Sequence, residues 1–247
     1  VVSLVLNRPD KRNALDDALM GGLLGAFARV DADADARCVV LRSAHAKVFS
    51  AGGNLDGFAE AQSVLTRHRR NASLGVLVQR MGQLKVPVIC ALGGHALAGG
   101  LGLVLACDMV VARAGIHIGT PEVNVGVFPF MISALLQRNV PRKRAMEMLL
   151  TGELLGAAEA AEWGLVNRSV ADGQALDGAV ELGTRIAAKS PLTIAIGKEA
   201  FYAQLETSLE HAYSYAAEVM VANMMTADAE EGIGAFLEKR TPEWKGC

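Results

Sequence analysis

Short apolar runs alternate with segments of helical periodicity through the first two thirds of the chain. Brief apolar runs bounded by turn residues are typical of buried strands, whereas apolar positions spaced three and four apart are typical of helices that pack on a core. The pattern predicts strands over residues 1–7, 38–42, 86–92, 109–112 and 116–119. It predicts helices over residues 16–31, 59–83, 99–106, 142–150 and 157–163, with a further helix beginning near Met131.

This alternation of strands and helices indicates a layered α/β core. From about Leu176 onward the pattern is almost entirely helical, and Pro191 separates two of the predicted helices. We therefore predict a core over residues 1–187 and a C-terminal helical region over residues 188–247.

Charge and hydropathy exclude several classes of partner. The 247 residues carry a formal net charge of −2, which gives no long-range attraction toward nucleic acid or anionic lipid. The uncharged segment between Lys85 and Asp108 is long enough to span a bilayer, but Pro87 and its several glycines favour a strand, a turn and a buried helix. We predict neither a nucleic-acid partner nor a membrane partner.

Motif searches remove other classes of protein. The four cysteines lie far apart without a CxxC motif, which argues against a disulfide framework and favours a reducing compartment. The sequence begins without a signal peptide, so we predict a cytoplasmic location. It carries no P-loop, no dinucleotide fingerprint, no nucleophile elbow and no metal-ligand spacing of histidines, so we predict no metal and no separate cofactor.

Two glycine-rich turns, AGGN at 51–54 and AGGLG at 98–102, each open a predicted helix. The first N–H groups of a helix are unpaired and carry partial positive charge, and glycine lets a ligand approach them. Two such turns facing each other could aim two N–H groups at one oxyanion. The alternative from the residues alone is tight turns and close helix packing, with Asn54 as a helix N-cap.

Glu122 follows Pro121 directly after a predicted strand. Proline fixes the backbone, so the neighbouring carboxylate is held on a stiff support. A fixed glutamate beside an apolar pocket can act as a general base, although an isolated glutamate is more often a surface charge. The residues alone leave both interpretations open.

Taken together and in order, a set of segments resembles the crotonase family, also called the enoyl-CoA hydratase/isomerase family. The segments are LNRP at 6–9, NAL at 13–15, FSAGGNL at 49–55, ALAGGLGL at 96–103, CD at 107–108, PE at 121–122, MLLTG at 148–152, AAEA at 157–160, WGLV at 163–166, EG at 231–232 and FLEKR at 236–240. They span essentially the whole chain, and the ordered set is specific. The resemblance favours the functional interpretation of the glycine turns and of Glu122.

The resemblance implies a spiral of ββα units with a C-terminal helical region for oligomerisation, assembled as a homotrimer or a dimer of trimers. It implies an acyl-CoA thioester substrate, with coenzyme A as part of the substrate. By position, Gly53 and Gly99 supply the backbone N–H groups of an oxyanion hole, and Glu122 is the catalytic carboxylate. The other implied contacts to substrate or CoA are Lys11, Arg12, Ala14, Ser50, Ala51, Asn54, Leu55, Pro121, Phe236 and Lys239. The loop of Lys11, Arg12 and Asn13 matches a region that contacts the CoA nucleotide.

Two departures from the family pattern bear on the reaction. Hydratases of the family carry two catalytic glutamates; Glu122 matches the second, but Gly102 stands at the position of the first. The usual aspartate after the first oxyanion-hole residue is Asn54 here. A single carboxylate suits isomerisation of a 3-enoyl-CoA to a 2-enoyl-CoA, in which one base moves a proton from C2 to C4.

Other reactions stay open at this point. Hydration is expected to be weak, because one carboxylate must do what two usually share. A decarboxylase or thioesterase using a base such as Glu60 or His68 is a second alternative. A non-catalytic acyl-CoA-binding subunit is a third.

Overall fold

The computed structural model describes residues 1–53 and 63–247, with the backbone alone at 67, 70 and 71. Within these residues the strands are β1 Val2–Leu6, β2 Val39–Ser43, β3 Val48–Ser50, β4 Val88–Leu92, β5 His95–Leu97, β6 Met109–Arg113, β7 His117–Gly119, β8 Leu155–Gly156 and β9 Arg168–Val170. The α-helices are α1 Asp17–Ala32, α2 Val64–Gly82, α3 Gly99–Leu105, α4 Phe130–Asn139, α5 Arg142–Thr151, α6 Ala157–Glu162, α7 Ala175–Ala187, α8 Pro191–Leu205, α9 Leu209–Met224 and α10 Ala227–Glu238. Short 3-10 helices cover Pro9–Lys11 and Pro121–Val125.

The strands form two sheets. The larger sheet has the order β1-β2-β4-β6-β9, and all of its neighbours pair in parallel. The smaller sheet has the order β3-β5-β7-β8; its first three strands are parallel and β8 is antiparallel.

From β2 to β7, successive strands of the chain go alternately to the larger and the smaller sheet. In the pairs β2 and β3, β4 and β5, and β6 and β7, the first strand joins the larger sheet and the second joins the smaller one. A helix follows each pair before the chain returns to the larger sheet. This repeated ββα unit confirms the predicted α/β, crotonase-like spiral.

The main core lies between the larger sheet and the helices that follow each unit. Along β2, Val39 and Leu41 enter this core, whereas Val40 points to the other face and packs in a second cluster with Ala179 of α7. Side chains of a strand alternate between faces, so both faces of the parallel sheet are covered.

The start and the buried face of helix α1 follow from its own sequence. Asp16 is its N-cap and accepts a hydrogen bond from Leu19 N at 3.0 Å. Met20, Leu23 and Phe27 recur at helical spacing and are buried, as an amphipathic helix requires. The prediction of a helix over 16–31 is confirmed.

The uncharged segment between Lys85 and Asp108 forms β4, β5 and α3, and most of it is buried in the core. The pattern predicted the first strand and the helix but not the short strand β5 between them. Among the described residues, no helix combines the length and apolarity that crossing a bilayer requires. The helix predicted over 59–83 begins at Val64, where Ser63 caps it, and its first predicted residues lie outside the described part of the chain.

Candidate active site

Three neighbouring parallel strands of the smaller sheet end at the same edge. Ser50 of β3 pairs with Ala96 of β5, and Leu97 of β5 pairs with Gly119 of β7. The residues that follow these strand ends are 51–53, 98–99 and 120–122. Because parallel strands present their carboxyl ends on one side of a sheet, this edge collects both glycine turns and Glu122.

The two glycine turns are in direct backbone contact. A Cβ added to Gly52, which has a φ of +86°, would lie 2.7 Å from Ala98 Cβ and 2.8 Å from Gly99 N. A Cβ on Gly100 would collide with the carbonyl oxygen of Ser50. Glycine at these two positions therefore permits the close approach of the turns.

The amides of Gly53 and Gly99 lie side by side. A Cβ on Gly99 would sit 3.5 Å from Gly53 N, and a Cβ is roughly 2.5 Å from its own amide nitrogen. The two nitrogens are therefore at most about 6 Å apart, a spacing that lets one oxygen accept from both at about 3 Å. Neither N–H donates a hydrogen bond to any described residue.

Ala98 holds the second turn in a strained conformation. Its φ of 53° and ψ of −129° lie outside the regions that residues with a Cβ normally occupy, at a cost of about 1–3 kcal/mol. Its N–H donates to Gly119 O at 2.9 Å, and its carbonyl accepts from Leu101 N at 2.9 Å. The first bond ties the start of α3 to the end of β7, and the second closes the first turn of α3.

Asn13 connects the first turn to the N-terminal loop. It is fully buried, and its Nδ2 donates to Phe49 O at 2.9 Å and to Ser43 Oγ at 2.8 Å, while its Oδ1 accepts from Arg8 N at 2.8 Å. It also adopts a φ of 50°, which asparagine tolerates better than most residues. The resemblance implied Asn13 only as part of a loop that contacts CoA, whereas its side chain bonds to residues inside the protein.

Ser50 and Ala51 complete this connection. Ser50 is fully buried; its hydroxyl donates to Asn13 O at 2.8 Å and accepts from Gly52 N at 3.2 Å. Ala51 N donates to Arg12 O at 3.0 Å, and Leu15 N donates to Gly52 O at 2.8 Å. Ser50 was predicted to contact the substrate, but its hydroxyl is buried and bonds to Asn13 and Gly52. We therefore infer that this hydroxyl stabilises the first glycine turn.

Removal of the Asn13 amide should destabilise the fold and loosen the first turn. In Asn13→Ala we expect a loss of about 2–3 kcal/mol in the free energy of unfolding, because buried backbone and hydroxyl groups lose their partners. Turnover should fall with it, since the Gly53 amide is no longer fixed. Denaturant unfolding measures the first effect. Asn139→Ala, which removes an exposed asparagine at the end of α4, is the matched control and should change stability by well under 1 kcal/mol.

Lys11 and Arg12 lie exposed on the same loop, and Ala14 is half-buried beside them. Arg12, like Asn13, has a φ of 50°. Two consecutive left-handed residues turn the loop sharply where its carbonyl bonds to Ala51. Two cationic side chains therefore stand close to the turn that carries the Gly53 amide.

Glu122 lies in the 3-10 helix that leaves β7. Pro121 is its first residue, and Gly126, with a φ of 78°, ends it. The side chain is half-buried, and its Oε2 is buried without a hydrogen-bond partner among the described residues. Burial raises the pKa of the Glu122 carboxyl above its ordinary value. A carboxylate in this state is suited to accept a proton.

The other predicted residues fall in three places. Asn54 and Leu55, with Glu60, lie outside the described residues. Phe236 lies in α10, which packs on α8 and α9, and Lys239 directly follows the helix as its C-cap; the Phe236 side chain is 82% exposed. His68 is exposed on α2. No group of three or more His, Cys, Asp or Glu side chains that could hold a metal ion occurs in the described part of the chain.

Comparison with known proteins agrees with this geometry. The family model described as "Enoyl-CoA hydratase/isomerase" matches residues 1–247, the whole chain. The chain belongs to the enoyl-CoA hydratase/isomerase family. Membership makes it an acyl-CoA enzyme of the crotonase superfamily, which confirms the predicted resemblance.

Two relatives and one solved structure illustrate the family likeness. The human enoyl-CoA hydratase domain-containing protein 3, named as mitochondrial, is 37% identical over 98% of this chain and 80% of its own length. The 2,3-dehydroadipyl-CoA hydratase of Escherichia coli is 33% identical over 100% of this chain and 95% of its own. The crystal structure of an enoyl-CoA hydratase from Mycobacterium smegmatis superposes with a TM-score of 0.94 at 40% identity, covering 98% of this chain and 94% of that one. Because the human relative is named as mitochondrial, the cytoplasmic location of this family member stays a prediction.

Proposed function

We propose that this enoyl-CoA hydratase/isomerase family member isomerises 3-enoyl-CoA to 2-enoyl-CoA, with Glu122 as the single acid and base. The observation that carries the proposal is the half-buried carboxylate of Glu122, whose Oε2 has no partner among the described residues. Gly102 stands at the position of the first family glutamate and offers no side chain. One carboxylate of raised pKa is what a proton shuttle between two carbons needs.

In this proposal the thioester carbonyl binds between the Gly53 and Gly99 amides. Removal of a proton from C2 by Glu122 puts negative charge on that oxygen, and two preorganised N–H donors stabilise it. The loss of one such donor typically costs about 3–4 kcal/mol of transition-state stabilisation. Glu122 then returns the proton to C4 and the double bond moves from C3–C4 to C2–C3, so atoms and electrons balance without a cofactor.

The CoA moiety is proposed to follow the loop of residues 11–14. Lys11 and Arg12 are exposed cations beside the first glycine turn, and they can pair with the CoA phosphates. Ala14, Ala51, Asn54, Leu55 and Pro121 are proposed as further contacts on the basis of family position. Phe236 and Lys239 are proposed to reach the adenine end of CoA in a neighbouring subunit.

We propose a homotrimer or dimer of trimers for the assembly. Helices α8 to α10 expose many large apolar side chains in the single chain, including Phe201, Leu209, Tyr213 and Phe236. Apolar surface of this extent favours burial against another protein surface. The location of Phe236 on this surface is consistent with a shared site.

Enoyl-CoA hydration is the second candidate. Its support is the naming of relatives, among them the E. coli 2,3-dehydroadipyl-CoA hydratase. The Gly102 position weighs against efficient hydration, because water must be activated at C3 while a proton is delivered to C2.

Comparison of two substrates tests the proposal. Purified protein should convert 3-hexenoyl-CoA to the conjugated 2-enoyl-CoA and should hydrate crotonyl-CoA at least about 10²-fold more slowly, because hydration lacks one acid–base partner. The conjugated product is followed by ultraviolet absorbance and the hydrated product by mass. Fast hydration of crotonyl-CoA with no isomerisation would favour the second candidate. Binding of both esters without turnover would favour a non-catalytic subunit.

A further inference from the structure

Gly102 lies one helical turn after Gly99, on the same face of α3. Side chains of a helix lean toward its N-terminus, so a Cβ at position 102 would lean toward the Gly99 amide. Because the thioester carbonyl is proposed to bind at the Gly99 amide, the atoms around this Cβ position also surround the reacting carbons next to the thioester. The side chains around position 102 therefore determine which groups can approach the substrate from the side of α3.

Two aliphatic side chains occupy this space. A Cβ on Gly102 would lie 3.4 Å from Ile132 Cγ1 of α4 and 3.4 Å from Leu74 Cδ2 of α2. Apart from its own helix and chain neighbours, no other described atom comes within 4 Å. Ile132 is buried in the core, and Leu74 is half-buried against it.

The helices that carry these side chains are packed closely against each other. A Cβ on Gly75 of α2 would lie 3.5 Å from Met131 Cε of α4, next to Leu74 and Ile132. Helix α3 contacts both α2 and α4. Leu74 and Ile132 are therefore held on a three-helix framework and do not move aside freely.

We propose that Leu74 and Ile132, which we call the aliphatic wall, determine which reaction the site performs. This inference rests on the proposed isomerase function. The wall places hydrocarbon where hydration requires an oriented water molecule, so water does not attack C3 of the 2-enoyl-CoA. The proton held by Glu122 then goes to C4 of the dienolate, and no atom is added to the substrate.

The wall also selects for the acyl group. A hydroxyl at C3 buried against two hydrocarbon side chains lacks a hydrogen-bond partner, which disfavours a 3-hydroxyacyl-CoA relative to the unsubstituted acyl-CoA. The site should therefore bind hexanoyl-CoA more tightly than 3-hydroxyhexanoyl-CoA, by about tenfold or more. The substrate class is a 3-enoyl-CoA whose chain is apolar at C3 and beyond.

Opening the wall tests the inference. Leu74→Ala should raise the ratio of crotonyl-CoA hydration to 3-hexenoyl-CoA isomerisation by about tenfold or more, and Leu74→Val should have an intermediate effect. Gly102→Glu alone should stay a poor hydratase, because the new carboxylate faces two methyl-bearing side chains. Gly102→Glu combined with Leu74→Ala should hydrate faster than either single variant. Val76→Ala, an exposed valine of the same helix outside the wall, should leave the ratio unchanged.

A separate measurement distinguishes the wall from the function on which it rests. Exchange of the C2 hydrogen of hexanoyl-CoA with deuterated solvent reports Glu122 and the two amides without any addition to C3. Exchange that persists in Leu74→Ala and Leu74→Val with an unchanged reaction ratio overturns the aliphatic wall alone. Absence of exchange in the unaltered protein overturns both the wall and the proposed isomerase. Equal affinity for hexanoyl-CoA and 3-hydroxyhexanoyl-CoA would also contradict the wall.

Discussion

Replacement of Glu122 by glutamine is expected to lower isomerase turnover by about 10²–10⁴-fold, the usual contribution of one general acid–base group. Glutamine keeps the shape of the side chain but cannot accept the C2 proton. The Gly53 and Gly99 amides remain, so affinity for a saturated acyl-CoA should be nearly unchanged. Turnover of 3-hexenoyl-CoA and binding of hexanoyl-CoA measure the two effects separately.

The same substitution should raise stability at neutral pH. Burial raises the pKa of the Glu122 carboxyl, so its ionised form is less favourable in the folded protein than in the unfolded chain. The folded state therefore loses stability as the pH rises through that pKa, and glutamine removes this loss. A higher melting temperature together with lower activity would mark Glu122 as a residue kept for chemistry.

The pH profile supplies the internal check. The base must be deprotonated, so kcat/KM should fall as the pH drops through the raised pKa of Glu122, above the ordinary range of a glutamate. The residual activity of Glu122→Gln should not show this fall at low pH, the acidic limb of the profile. Glu159→Gln, an exposed glutamate of α6, is the matched control and should retain both the rate and the limb. Full activity in Glu122→Gln would show that another group is the base.

Local signals were sufficient where a single segment determines its own structure. The helix after Asp16 has a cap, a first turn with Asp17 and a buried face at helical spacing, and each is visible in the sequence. The run that forms β4 is equally clear, because all five of its residues are apolar and buried. These elements agree with their predictions because no distant residue is needed to specify them.

Pairing between segments was beyond the reach of these patterns. Strand β5 has three residues inside a glycine-rich run, and it is a strand because β3 and β7 flank it. Hydrophobic periodicity needs a longer window than three residues. The family resemblance supplied the spiral of ββα units, which periodicity alone did not predict.

The candidate site shows the same division. Gly53, Gly99 and Glu122 were predicted by family position, since each follows a strand in a recognisable motif. The hydrogen bonds of Asn13 to Ser43 and Phe49 join residues 30 and 36 positions apart, and the sequence gives no separate sign of them. The positive φ of Ala98 was also missed, because alanine is a poor marker of a left-handed turn.

A buried ion pair joins the C-terminal helices to the core. Lys198 of α8 has a side chain only 7% exposed, and its Nζ donates to Asp108 Oδ2 at 2.7 Å, to Met81 O at 3.0 Å and to Val86 O at 3.2 Å. Asp108 also accepts from Val88 N at 2.6 Å and from Tyr202 at 2.8 Å. Every donor of the ammonium group is used, so the pair meets the condition under which a buried salt bridge is tolerated.

Replacement of Lys198 by methionine is expected to destabilise the protein by about 3–5 kcal/mol, because Asp108 then remains as a buried charge without its cation. The carbonyls of Met81 and Val86 also lose their donor. The loss of stability should be greatest where α8 packs on the core. Backbone amide hydrogen exchange should therefore become faster in α8 at lower denaturant concentration than in α1. Denaturant unfolding and exchange mass spectrometry measure the two effects.

A double variant separates the charge from the packing. Lys198→Met combined with Asp108→Asn removes the uncompensated carboxylate, so the pair should cost less than the sum of the single changes. Lys189→Met, an exposed lysine just after α7, is the matched control and should change stability by at most about 0.5 kcal/mol. A loss below about 1 kcal/mol in Lys198→Met would mean that α8 is held by apolar packing instead. The predicted boundary near residue 188 would then separate two regions with little electrostatic coupling.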